Sequence, residues 1–158
     1  MARKVFFSFH FERDIWRVGQ VRNSWLTKPD RNSAGFWDKA KYEEVKKKGV
    51  NAIKKWIDDS IYGTSVTVVL IGKETSTREW VKYEIQKSYR EGNGILGIHI
   101  HNIRNVLGQT DTKGSTTFGK IANDKYFFEL FPTYDWVNDN GYINIGKWVE
   151  EAAKKAGR

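Results

Sequence analysis

Trp80 and Glu84 stand four residues apart in the stretch Thr64–Gly92, TSVTVVLIGKETSTREWVKYEIQKSYREG, so on a helix they share a face across neighbouring turns. A carboxylate in a cleft can stabilise developing positive charge or move a proton. An indole face can stack on a flat ring and tolerates cationic charge. Both residues also have ordinary readings. Glu84 could be a solvated helix carboxylate pairing with Ser88 or the turn at Arg90, and Trp80 could simply pack.

The elements around the pair favour a site. Ser65–Ile71 is a β-branched apolar run of strand length, closed by Gly72 and Lys73. Ser76-Thr77-Arg78-Glu79 has the form of a capping box opening a helix, on which Val81, Ile85, Ser88 and Tyr89 make the stripe that packs on the sheet. A helix that follows a buried parallel strand starts at that strand's carboxyl end, where open α/β sheets bind ligands. Trp80 and Glu84 are therefore expected at the rim.

The rest of the chain supplies a sheet for them. Val5–Phe9 is a near-continuous apolar run, expected as a central parallel strand covered on both faces. A polar loop, His10–Asp14, leads to a helix through Ile15–Leu26 with Ile15, Val18, Val21 and Trp25 on its apolar face. Thr27–Ala34 reads as a turn-rich connection, Gly35–Asp38 as a short second strand, and Lys39–Gly49 as a charged loop with some helix. Val50, Ile53, Ile57 and Ile61 fall at helical spacing, with Gly63 as the residue that stops the helix. Ile95–Ile100 is a further buried strand, Asn102–Lys125 an active-site lid or a surface loop, Tyr126–Phe131 a short last strand, and Ile145–Ala153 a closing helix. The alternation predicts one doubly wound α/β domain over residues 1–158, flavodoxin-like, with a mostly parallel sheet of about five strands and helices on both faces.

Composition narrows the function. With 158 residues, 39% apolar and 15% aromatic, the chain is long enough for a real core. It has no cysteine, which excludes disulfides, thiolate metal sites and a cysteine nucleophile. There is no long apolar span or charged-then-apolar leader, so no membrane partner is expected and the cytoplasm is the expected compartment. The net charge of +8 comes from 27 basic and 19 acidic residues, but Lys46-Lys47-Lys48 and Lys154-Lys155 sit beside acidic neighbours, and nucleic acid is not an expected partner. No Gly-x-Gly-x-x-Gly, phosphate-cradling loop or Gly-x-Ser-x-Gly elbow occurs. A receiver domain would need acidic residues where Phe9-His10-Phe11-Glu12 and Ile71-Gly72 stand. His99 and His101 alternate along a strand, yet no third ligand is spaced to join them, and no metal is expected.

Ser76-x-x-x-Trp80-Val81-x-x-Glu84 after a buried strand, with KVFFSFH (Lys4–His10), SVTVVLIG, GILGIHI and YDWVNDNGY (Tyr134–Tyr142), resembles the TIR-like proteins of bacterial Thoeris antiphage defence, the ThsB type. The similarity covers most of the chain and is weakest over Asn105–Asp124. It implies a TIR-like fold and cleavage of NAD, as substrate with no resident cofactor, at the nicotinamide–ribose bond. Glu84 would then be catalytic and Trp80 a pocket wall. Phe9, His10 and Phe11 would contact substrate at the end of the first strand, and Phe36, Trp37 and Asp38 would lie at the matching rim of the second. Asp14 and Arg17 could bind phosphate or ribose, or only cap and pair on the first helix. Expulsion of neutral nicotinamide needs no general acid, and a carboxylate suits the oxocarbenium-like ribose left behind. The resemblance further implies cyclisation of the ADP-ribosyl part into a diffusible signal nucleotide for a separate effector, with self-association possible. A TIR-like binding or scaffold module without turnover is the alternative, since fold does not fix function.

Overall fold

A computed structural model describes residues 3–29, 31–34 and 39–158. In chain order the elements are β1 (Arg3–Ser8), α1 (Phe11–Leu26), β2 (Arg31–Ala34), α2 (Lys39–Lys47), α3 (Val50–Ile61), β3 (Val66–Ile71), a 3-10 turn (Thr75–Thr77), α4 (Glu79–Arg90), β4 (Gly94–His99), the hairpin strands β5 (Lys120–Ala122) and β6 (Lys125–Tyr126), α5 (Phe127–Leu130), β7 (Thr133–Asp135) and α6 (Gly141–Lys155). The sheet runs β2-β1-β3-β4-β7 and every pairing in it is parallel. The chain builds outward from β1 to β2, then returns to place β3 on β1's other side. The strand order therefore reverses beside β1, and a doubly wound sheet offers its ligand crevice there, at the carboxyl ends.

Alternation along the central strands divides the interior. Val5, Phe7, Val66, Val68, Leu70, Leu96 and Ile98 point to the layer of α1 and α6, packing with Val18, Val21, Ile145 and Val149. Val69, Ile71 and Ile95 meet Val81 and Ile85 of α4, while Phe6 meets Ile57 and Ile61 of α3. Because both faces of β3 and β4 are covered, all six residues of each are buried, which is why they read as continuous apolar runs.

Polar contacts fix α4 on its strands. Ser88 and Thr67 join their hydroxyls at 2.6 Å, and Asn93 donates from Nδ2 to Thr64 Oγ1 at 2.9 Å, all buried. Val81, Ile85 and Ser88 are buried as the stripe predicts, whereas Tyr89 at its end is exposed. Gly63, with φ of +82°, ends α3 as expected, in a backbone region that glycine enters without cost.

Several boundaries differ from the sequence reading. The second strand is Arg31–Ala34, inside the stretch read as a turn, and Gly35–Asp38 lie outside the described residues. An edge strand bonded on one side only needs no apolar run, and RNSA shows none. Lys39–Lys47 is helix rather than loop. The helix after β1 starts at Phe11, with His10 as its N-cap, so no polar loop precedes it. Tyr126–Phe131 is not the last sheet strand: it holds the end of a hairpin and the short α5, and the sheet closes with β7. The expected capping box is absent as such. Ser76 and Thr77 are spent in the 3-10 turn, and α4 begins after Arg78 without a side-chain cap.

Candidate active site

The carboxyl end of β1 opens into a cavity of about 230 Å³ lined by Phe9, His10, Phe11, Glu12, Tyr42, Lys46, Ile53, Ile57, Arg78, Trp80, Val81 and Glu84. Each wall has a structural origin. The strand runs straight into α1, so Phe9 and His10 turn the corner and stay buried. The α4 helix starts at the matching end of β3, which places Trp80, Val81 and Glu84 on its first two turns against β1. The α3 helix closes the back with Ile53 and Ile57, and α2 adds Tyr42 and Lys46 at the mouth. Phe11 stacks on Tyr42 with ring centroids 4.4 Å apart, and Tyr42 donates its hydroxyl to Glu12 Oε1 at 2.8 Å.

Glu84 is the group that matters most electrostatically. It is 5% exposed, and Ser8 donates a hydrogen bond from Oγ to its Oε1 at 2.6 Å. Burial pushes the Glu84 carboxyl up to about 8, and the Ser8 hydrogen bond opposes that rise only in part. Desolvation of the charged form is the cause, and a carboxyl so displaced, in a cleft, marks a site candidate. Burial, and then Arg78, lower the pKa of His10. Burial, reinforced by the Glu12 hydrogen bond, raises Tyr42 to about 12. Arg78 approaches Glu12 at 3.5 Å, and Lys46 lies 5.6 Å over the Tyr42 ring. Trp80 is half-buried and meets Tyr83 edge to face at 5.6 Å.

Of the residues singled out from sequence, Phe9, His10, Phe11, Trp80 and Glu84 share this cavity. Trp37 and Asp38 lie outside the described residues. Asp14 and Arg17 do not line it. Arg17 donates from Nε to Ile103 O at 2.7 Å and from Nη2 to Gln109 O at 3.0 Å, and its Nη1 lies 3.6 Å from Asp111. Asp14 is buried against Gly72, where an added Cβ would come within 2.2 Å of Asp14 Oδ2. Thr75 donates to Asp14 at 3.4 Å, and Arg13 pairs with it at 3.2 Å. Arg17 thus holds residues 103–111 against the body, while Asp14 is held at the end of β3 by Thr75 and Arg13. Arg13 also pairs with Asp111 at 2.7 Å, and Gly114 sits so close to Gly72 that a Cβ there would meet Gly72 O at 1.9 Å.

Reading the sequence passed over Ser8, Glu12, Tyr42, Lys46, Ile53, Ile57 and Arg78 as site residues. Ser8 alone left a signal, as the one polar residue inside VFFSF. The others come together only through the packing of α2, α3 and α4. His99 and His101 are both buried, 5.8 Å apart between ring centroids, with neither Nδ1 hydrogen-bonded. No group of three His, Asp or Glu side chains among the described residues is arranged to hold a metal ion. A larger cavity, about 590 Å³, lies at the opposite end of the sheet by Gly94, Ile95, Phe131 and Tyr134. Among the described residues it holds no buried titratable group, so its size does not make it the chemical centre.

Residues 6–105 match the family described as Thoeris protein ThsB, TIR-like domain. A protein of Bacillus cereus (strain MSX-D12), provisionally named cyclic ADP-D-ribose synthase ThsB1, is 35% identical over 191 residues, covering 94% of this chain and 100% of that protein.

Proposed function

We propose a function from one premise: the chain belongs to the family of Thoeris ThsB TIR-like domains. It cleaves NAD between nicotinamide and ribose and cyclises the ADP-ribosyl part. The single observation that carries this reading is Glu84, a buried carboxyl facing a cavity with aromatic walls.

The chemistry fits those parts. Nicotinamide leaves as a neutral ring, so the site needs no acid, and the carbon it leaves behind gains positive charge that Glu84 stabilises when ionised. The bound pyridinium itself favours that ionisation, because a nearby positive charge favours the charged form of a carboxyl. Trp80, Phe9 and Phe11 offer faces for the flat ring, and His10 stands beside them. At about 230 Å³ the cavity is below the usual range of about 300–1,000 Å³ for whole-ligand pockets. It therefore takes the nicotinamide riboside end, and Lys46 and Arg78 at the mouth meet the diphosphate. Enclosure by Ile53, Ile57 and Val81 keeps water from the ribose carbon, which favours attack by another part of the same molecule. In this reading a separate effector in the cytoplasm reads the diffusible product, and copies of the chain self-associate. These last points are supported by the family resemblance alone. No helix among the described residues is long and apolar enough to cross a membrane.

The test is nicotinamide release and product mass on incubation with NAD, wild type beside Glu84→Gln. Release by the wild type and its loss in Glu84→Gln are expected, with a product one water lighter than free ADP-ribose. A product carrying that water would replace cyclisation by hydrolysis. No release by the concentrated wild type, with infected-cell lysate added as trigger, would replace the enzyme by a binding module.

A further inference from the structure

We propose that Ser8 is the positioning residue of this site: it turns Glu84 so that one carboxylate oxygen faces the substrate and gives the other the donor its ionised form needs. The inference rests on the NAD-cleaving reading of the same cavity.

Ser8 is the polar member of VFFSF, and strand alternation puts it with Phe6 on the face covered by α3 and α4. It is fully buried, and a buried hydroxyl is costly unless bonded. Its partner is Glu84 Oε1 at 2.6 Å, within the short range of hydrogen bonds from hydroxyl to carboxylate. Among the described residues no second donor reaches Glu84. With Oε1 held by the strand, Oε2 is the oxygen left to the cavity. One turn further along the same helix Ser88 meets Thr67 at 2.6 Å, so the Glu84 backbone is held in register with β1 and β3 while the Ser8 bond fixes its carboxyl.

Geometry is joined by electrostatics. Burial alone drives the Glu84 carboxyl upward, to about 8, towards the neutral form that cannot stabilise a cationic ribose. Donation by Ser8 acts the other way. The other groups facing this space are His10 at the N-cap of α1, Glu12 from α1, Tyr42 and Lys46 from α2, and Arg78 before α4. The α3 helix contributes Ile53 and Ile57, and its Asp58 is engaged by Tyr83 at 2.5 Å. None of these is hydrogen-bonded to Glu84, so among the described residues Ser8 is the one hydrogen-bond partner that separates its two oxygens.

The test compares wild type with Ser8→Ala, Ser8→Thr and Ser8→Cys. Titration of the Glu84 carboxyl by carbon-13 NMR without substrate, assigned through Glu84→Gln, is read beside the pH profile of nicotinamide release. Loss of the donor in Ser8→Ala raises the Glu84 titration by about one pH unit and lowers kcat near neutral pH about tenfold, with activity recovering at alkaline pH and KM little changed. Ser8→Cys, close in volume but a weaker donor, moves both the same way, so the result does not hang on the alanine variant folding. Ser8→Thr keeps the hydroxyl and returns both towards wild type. A titration unmoved or lowered in Ser8→Ala and Ser8→Cys, or activity lost equally at every pH, overturns the proposal. Failure of the wild type to release nicotinamide would overturn the NAD reading alone, because the titration is measured without turnover.

Discussion

Glu84→Gln should gain stability relative to the wild type as the pH rises. Glu84 carries a folded-state pKa of about 8 against an ordinary 4.5, so the folded chain holds this proton more tightly than the unfolded chain does. The stabilisation is complete below about 4.5, declines as the pH rises, and is gone above about 8. At about 1.4 kcal/mol per pH unit, the loss is about 3 kcal/mol at pH 7 and about 5 kcal/mol above pH 9. Glutamine cannot ionise and escapes this loss, while its amide oxygen still accepts from Ser8. The amide NH2 lacks an acceptor among the described residues and adds a pH-independent cost of about 1–3 kcal/mol. The slope with pH is therefore the decisive quantity. Urea unfolding of both proteins, followed by the fluorescence of the seven tryptophans, would be measured at about pH 5, 7 and 9. Every other titrating group is common to the pair and cancels in the difference. The gap in stability should move by about 4 kcal/mol in favour of Glu84→Gln across that range. A gap that stays flat, or that moves the other way, would show that Glu84 is not a desolvated carboxyl and would remove the physical basis for its role.

Two further substitutions probe residues 103–114. Gly114→Ala should cost about 3 kcal/mol or more, since its Cβ would sit 1.9 Å from the backbone oxygen of Gly72; thermal unfolding and faster hydrogen exchange over residues 111–118 would report it, and a near-neutral result would refute the packing. Arg17→Ala should cost about 2–3 kcal/mol by stranding the carbonyls of Ile103 and Gln109. Its KM for NAD should stay at the wild-type value, and a large rise in KM would return Arg17 to the binding site.

The parts legible in sequence were those where burial on both sides forces composition. VTVVLI and GILGIH could be little else than central strands, and the α4 stripe followed from helical spacing. Edges were opaque for the same reason. Arg31–Ala34 and Thr133–Asp135 each pair on one side and carry no apolar signature, so the first was read as a turn and the second strand was placed on residues 35–38. The candidate cavity was legible where one element supplied its wall. Trp80 and Glu84 are neighbours on a single helix, and Phe9, His10 and Phe11 are consecutive. Tyr42, Lys46 and Ile57 belong to two other helices, and no spacing along the chain relates them to Glu84. Asp14 and Arg17 could not be placed from sequence, because structural and ligand-binding polar residues are of the same types: Arg17 turns to Ile103, Gln109 and Asp111 and Asp14 to Thr75 and Arg13, outside the cavity.

The two hydroxyl contacts along α4, Ser8 with Glu84 and Thr67 with Ser88, act together as a pair of pins one helical turn apart. A helix held at one point can pivot or slip by a turn; held at two, it can do neither without breaking buried polar contacts to two different strands. The wall that carries the carboxylate is thereby a fixed jaw. The facing wall is α2, whose Tyr42 meets α1 through the Phe11 stack and the Glu12 hydrogen bond and whose Val45 is buried in the core. Whatever binds between the two walls, the distance from Glu84 to the central sheet is set by those two pins and not by the contents of the cavity.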